Sequence, residues 1–161
     1  MYLRRASTAD VQRIRADPVS LETFVFEEGE ERIDLIEFDK AWHVLHFMLT
    51  GHECGSDHPL GIIADETPIE GTEENGLGGF TVIDPDRMAV FAEALAEIDD
   101  ESLAARFDPQ AMVAAEIYMA DAMIENDRAE ELEYVLQGVP DLRRFASSCA
   151  ENGQGALRIL A

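Results

Sequence analysis

Basic residues are scarce in this 161-residue chain: 12 Lys and Arg stand against 34 Asp and Glu, a formal net charge of −22. Its longest basic clusters are the pairs Arg4-Arg5 and Arg143-Arg144. A surface of this sign repels phosphates, so nucleic acid is excluded as a natural partner. An anionic membrane surface is disfavoured for the same reason. A basic protein remains as a partner class, although acidic charge by itself also serves solubility. Lysine is nearly absent, Lys40 being the sole example, a bias that fits a GC-rich genome or a salt-adapted host equally well.

Cysteine is equally sparse. Cys54 and Cys149 lie far apart, and the opening MYLRRASTAD has no long apolar run of the secretory kind. The expectation is a cytoplasmic protein with both thiols free. No apolar run reaches membrane-spanning length, for the most apolar stretch spans at most about twelve residues. Internal repeats, linkers and low-complexity tracts are missing too, so residues 1–161 read as a single domain. A chain this long buries a core without metal or disulfide staples, and no cofactor is expected.

What is present centres on Asp39 to Gly51, DKAWHVLHFMLTG, with the only Trp, the only Lys and two of the four His. Asp39 is an expected N-cap and Gly51 an expected C′ residue. Trp42, Leu45, His46 and Leu49 fall at i, i+3, i+4 and i+7. Ala41, Val44 and Met48 widen that face, and a helix apolar almost all round belongs in a core. His46 is then buried and neutral, either tied to a backbone carbonyl or serving as a base or ligand. Lys40, His43, Phe47 and Thr50 share the more exposed side.

Around this helix the signals alternate. Met1–Arg5 reads as an edge strand, and Ser7 caps a helix over 8–16 with Val11 and Ile14 inward. Pro18 opens a second short helix carrying Leu21 and Phe24, and 31–36 reads as a strand with Ile33 and Leu35 inward. Gly51 to Gly79 is irregular, with seven of the eleven glycines. Within it, Leu60–Ala64 is a short helix or strand, and a strand over 78–83 closes it with Phe80 and Val82 on one face. Asp84-Pro85 starts a helix to about Ile98, with Met88, Phe91, Ala92 and Leu95 inward. Asp100 caps a short helix with Leu103 and Phe107 inward, and Asp108-Pro109 starts another to about Tyr118. Helices over 127–137 and from Pro140 follow, the last with Leu142, Phe145, Ala146 and Cys149 inward. Asn152-Gly153 ends it, and Ala156–Leu160 is a final strand. The sum is an α+β fold, mostly helical with a small sheet.

These landmarks in this order resemble the YfbM-like family, a bacterial domain of unknown function. The core of the likeness is FDKAWHVLHFMLTG, Phe38 to Gly51, against the family string D-K-x-W-x-x-[LI]-H-x-x-L-T-G. Pro59-Leu60, GLGGF from Gly76 to Phe80, R-F-D-P from Arg106 to Pro109, E-I-Y from Glu116 to Tyr118 and the closing N-G turn continue it. Where relatives show G-Y-G-P-A-R this chain has Gly76, Leu77, Gly78, Gly79, Phe80 and Thr81, without the tyrosine and arginine. The resemblance implies an α+β fold in a cytoplasmic bacterial setting and no particular reaction.

Four kinds of chemistry compete with structural explanations. His46, His52, Cys54 and His58 are zinc-type ligands within thirteen positions, but H-x-C-x3-H is not a finger or ribbon spacing, and no metal is expected. Asp39, Lys40, Trp42, His46, Thr50 and Glu116 form the candidate polar cluster, able to supply acid, base and orienting groups. The competing account is a polar network that fixes the helix in the core. No G-x-S-x-G is present, and Cys54 lacks the flanks of a cysteine enzyme. GLGG lacks the Lys-Ser/Thr of a phosphate loop and reads as a turn. The acidic runs 27–31 and 125–133 are solvated faces or surfaces for a basic protein. The sequence therefore points first to a non-enzymatic binding domain, framed by the Asp39 helix and the glycine-rich crossing. The alternatives are a hydrolase with an accessible His46 against a carboxylate, and an immunity-type inhibitor of a basic toxin.

Overall fold

The computed structural model describes residues 1–18, 24, 34–55, 57–64, 68–69, 72 and 79–160. Most of the expected Pro18 helix, Ile33 and most of GLGG lie outside them. Among the described residues four strands form one antiparallel sheet: β1 (Tyr2–Ala6), β2 (Leu35–Glu37), β3 (Phe80–Ile83) and β4 (Gly155–Ile159), in the order β2-β1-β4-β3. β1 is thus an inner strand rather than the edge expected of it. Its pairing with β4, Tyr2 opposite Ile159 and Ala6 opposite Gly155, joins the two ends of the sequence. Local pattern does not reveal such a partner, because it carries no record of which distant strand completes a ladder.

Both faces of the sheet are covered. Leu3, Ile36, Ile83 and Ala156 face the larger core, whereas Ala6, Phe80, Leu157 and Ile159 face a smaller cluster with Val11, Ile14 and Ile69. That smaller layer is closed by α1 (Thr8–Ala16). α1 starts on a capping box: Ser7 Oγ accepts from the Asp10 N–H at 3.1 Å, and the Asp10 carboxylate accepts from the Ser7 N–H at 3.0 Å. Ser7→Ala is expected to cost about 1 kcal/mol, read as a lower denaturation midpoint with unchanged slope.

The larger core receives α2 (Trp42–Thr50), α3 (Pro85–Ala96), α4 (Asp100–Ala104), α5 (Pro109–Ala114), α6 (Ala120–Glu125), α7 (Arg128–Leu136) and α8 (Val139–Glu151). The inward residues expected of the last helix, Leu142, Phe145, Ala146 and Cys149, are all buried. Pro85 and Pro109 each occupy the first turn of their helix. Asp99, not Asp100, caps α4 by accepting from the Ser102 N–H. α5 ends at Ala114 instead of Tyr118, because Glu116 and Met119 take positive φ of 56° and 71° and turn the chain into α6. Leu60 to Ala64 form turns, neither helix nor strand, yet are buried throughout.

Arginine side chains close helix ends. Arg106 donates to the Met48 and Leu49 carbonyls at the end of α2, and Arg143 to those of Leu95 and Ile98 beyond α3. The R-F-D-P tetrapeptide is accounted for in full: Arg106 caps α2, Phe107 is core, Asp108 caps α5 and Pro109 opens it. Arg158 on β4 is buried, and donates to the Ile63 carbonyl at 3.0 Å and Thr81 Oγ1 at 2.9 Å, binding the crossing to the sheet. No helix among the described residues is long and apolar enough to cross a membrane.

Candidate functional site

Val44, Leu45, His46, Met48 and Leu49 of α2 are buried, which places this helix in the core as its apolar pattern requires. Its start differs from the expectation. Residues 39–41 form a turn, Ala41 occupies the N-cap position, and no side chain caps the helix. Asp39 is engaged elsewhere: its carboxylate accepts from the Tyr134 hydroxyl on α7 at 2.8 Å. At the other end, Gly51 takes φ of 73° and Thr50 Oγ1 donates to the His46 carbonyl at 2.9 Å while accepting from the His52 N–H at 3.1 Å. Thr50 is therefore a helix-end group, a helix length away from Asp39.

The two histidines of α2 lie as the pattern suggested, His46 inward and His43 partly exposed, but their hydrogen bonding differs from the expectation. His46 is fully buried, and neither ring nitrogen has a hydrogen-bond partner among the described residues. Burial, and then the neighbouring His43 and Arg158, push its pKa down to about 4. The backbone tie expected of it belongs to His43. There Nδ1 accepts from the Tyr118 N–H at 3.0 Å and Nε2 donates to the Glu53 carbonyl at 2.8 Å. These partners require the neutral Nε2–H tautomer. The His43 ring also stacks on Trp42, centroids 4.7 Å apart and 11° from parallel.

Beside this stack lies a half-open cleft of about 330 Å³, lined by Met1, Glu37, Asp39, Lys40, Trp42, Tyr118 and Leu160. Three predicted residues, Asp39, Lys40 and Trp42, meet here. His46 lies in the core beneath, Thr50 at the far end of α2, and Glu116 is exposed in the turn before Tyr118. Each carboxylate of the cleft is oriented by a phenol: Tyr2 donates to Glu37 Oε1 at 3.0 Å as Tyr134 does to Asp39 Oδ2. The bond to Glu37 raises the Tyr2 pKa, and burial followed by the bond to Asp39 raises that of Tyr134, so both phenols remain donors. Glu37, Tyr118 and Leu160 were not among the predicted site residues. They arrive through the β2-β1-β4 ladder and the turn after α5, and the aromatic end of E-I-Y was the one local signal for any of them.

A histidine base needs access to substrate, whereas His46 is enclosed, with no carboxylate of the described residues bonded to it. Among the described residues no three His, Cys, Asp or Glu side chains come together as a metal set. Cys149 is buried in the core, which pushes its thiol pKa up to about 12 and makes it a poor nucleophile. The glycine-rich crossing, expected to frame the binding face, contributes no described residue to the cleft.

Comparison with known proteins agrees with the fold. The family described as "Domain of unknown function (DUF1877)" matches residues 1–159. The crystal structure of YfbM from Escherichia coli, titled a protein of unknown function, is similar at 17% identity with a TM-score of 0.66, covering 99% of this chain and 98% of that one. No curated protein matches the sequence.

Proposed function

The chain belongs to the DUF1877 family, and from that premise we propose a non-catalytic binding domain whose working face is the cleft beside Trp42. The observation that carries this reading is the pairing, in one concave site, of an aromatic wall with two phenol-oriented carboxylates. Tyr2 and Tyr134 each engage one oxygen of their carboxylate, which orients both groups in the cleft. Trp42 and Tyr118 supply π faces, and Tyr118 is 48% exposed. Carboxylate oxygens together with indole and phenol rings suit a guanidinium or ammonium group. Within a chain of net charge −22, the matching partner is a basic protein that inserts an Arg or Lys side chain. Long-range attraction would speed its encounter. A basic toxin neutralised by this protein is one such partner, and a cytoplasmic setting suits either case.

The test is selection of Arg- and Lys-containing peptides at low salt, followed by calorimetry. Glu37→Gln and Trp42→Ala are each expected to weaken binding of the selected peptides by about tenfold, a loss of one charge or ring contact. Raising salt is expected to weaken binding further. Peptides that bind both variants as tightly as the parent would refute the assignment of the cleft.

A further inference from the structure

One imidazole touches both sides of the cleft's aromatic wall, stacking on Trp42 and accepting from the Tyr118 N–H. His43 connects three pieces of chain: it stands on α2, donates to Glu53 in the crossing, and accepts from Tyr118 in the turn after α5. That turn is strained, since Glu116 and Met119, on either side of Tyr118, both adopt left-handed backbone that non-glycine residues avoid. Strain of this kind persists only while surrounding contacts impose it. The Tyr118 N–H bond to His43 Nδ1 is such a contact, and it exists only while Nδ1 carries no proton.

We propose that His43 is the positioning residue of the cleft, and that its protonation releases Tyr118 and opens the aromatic wall. The consequence for ligands rests on the binding reading above; the release itself does not. Protonation acts on the three contacts unequally. The bond to the Glu53 carbonyl survives, because Nε2 is already the donor. The stack on Trp42 gains cation–π attraction. The Tyr118 bond alone is lost, since two N–H groups then face each other. The imidazolium thus stays with Trp42 while the strained turn is freed to relax.

Charged and titratable groups surround the ring. Lys40, in the turn before α2, and His46, one helical turn further along α2, stand on either side of it in sequence. His52 and Glu53 lie exposed in the crossing, and Glu116 is exposed in the strained turn. From α7, Tyr134 is directed to Asp39 and Glu131 to Asn126, and from β4, Arg158 is directed to Ile63 and Thr81. Histidine is the side chain that ordinarily changes charge between pH 5 and 8, so that interval is the one to test.

Because Trp42 is the only tryptophan, its emission reports the stack directly. The experiment follows tryptophan emission, the His43 ring-proton shift and Tyr118 amide exchange on the folded protein from pH 8 to 5. Expected are quenching of emission and a loss of Tyr118 protection by about tenfold, the size of one hydrogen bond. Both midpoints should coincide with the His43 shift, a comparison that needs no variant. In His43→Gln both transitions should vanish, and in His46→Leu both should remain. A flat parent profile, or a transition that survives in His43→Gln, would overturn the proposal. Peptide binding without the transition would remove the His43 switch and keep the cleft, whereas the transition without peptide binding would do the reverse.

Discussion

His46→Leu is expected to stabilise the protein, by about 1–3 kcal/mol at neutral pH, the cost of leaving a buried polar group unsatisfied. The imidazole is wholly enclosed on α2 and makes no hydrogen bond among the described residues, which leave its desolvation uncompensated. Leucine removes that penalty at nearly the same volume and suits the Val44, Leu45, Met48 and Leu49 surroundings. The effect also depends on pH. Burial holds the folded-state pKa of His46 near 4 against an ordinary 6.5, so between these values the unfolded chain binds the proton and the folded chain does not. Stability from this group is therefore complete above about pH 6.5 and declines as pH falls towards 4. The gap between the parent and His46→Leu is expected to widen by roughly 3 kcal/mol from pH 7.5 to 4. Urea denaturation of both proteins across that range measures the gap. A constant gap, or a less stable leucine variant, would mean that the ring is satisfied in solution.

The second large effect comes from one glycine. Gly155→Ala is expected to destabilise by about 3 kcal/mol, at the upper end of ordinary overpacking. A Cβ at this position would overlap the Ile83 carbonyl oxygen and stand 3.2 Å from the Pro85 nitrogen. Neither atom is the end of a pliable side chain. They belong to the backbone where β3 passes through Asp84 into α3, and β4 pairs with β3 immediately beside them, Ile83 opposite Ala156. Relief requires the strand or the helix start to move, and the same shift would disturb the facing Ala6 of β1. This glycine is present for close approach, because its φ is not among the positive values. Gly51 is the contrasting case, with φ of 73° and open space where a Cβ would lie. Chemical denaturation separates the two: Gly155→Ala should lose several times the stability lost by Gly51→Ala, for which about 1 kcal/mol is expected.

Much of the fold was legible in the linear pattern. Ser7 with Asp10, Asp84-Pro85, Asp108-Pro109 and Asn152-Gly153 are local signals, and each marks a helix boundary in the structure. Helical spacing of Leu142, Phe145, Ala146 and Cys149 identified a buried face, since a 3.6-residue repeat is a property of the chain itself. The site was only partly legible. Asp39, Lys40 and Trp42 are neighbours in sequence and remained neighbours in the cleft. Glu37 and Leu160 reach it through strand pairing, and Tyr118 through a turn whose left-handed residues break the helical pattern read for that segment. His43 and His46 differ by less than one turn of helix, and periodicity placed one inward and one outward. Which of them would find backbone partners depended on where Glu53 and Tyr118 came to rest.

By itself the sequence determined an acidic, mostly helical α+β chain of the YfbM-like kind, with a tryptophan-bearing helix in its core. Those properties follow from charge, apolar spacing and capping groups, each of which acts over a few residues. Tertiary structure alone decided that the first and last strands pair, that the cleft opens at the start of α2, and that His43 rather than His46 links the segments. These features depend on contacts between residues far apart in the chain, and such contacts exist only once the sheet has joined them.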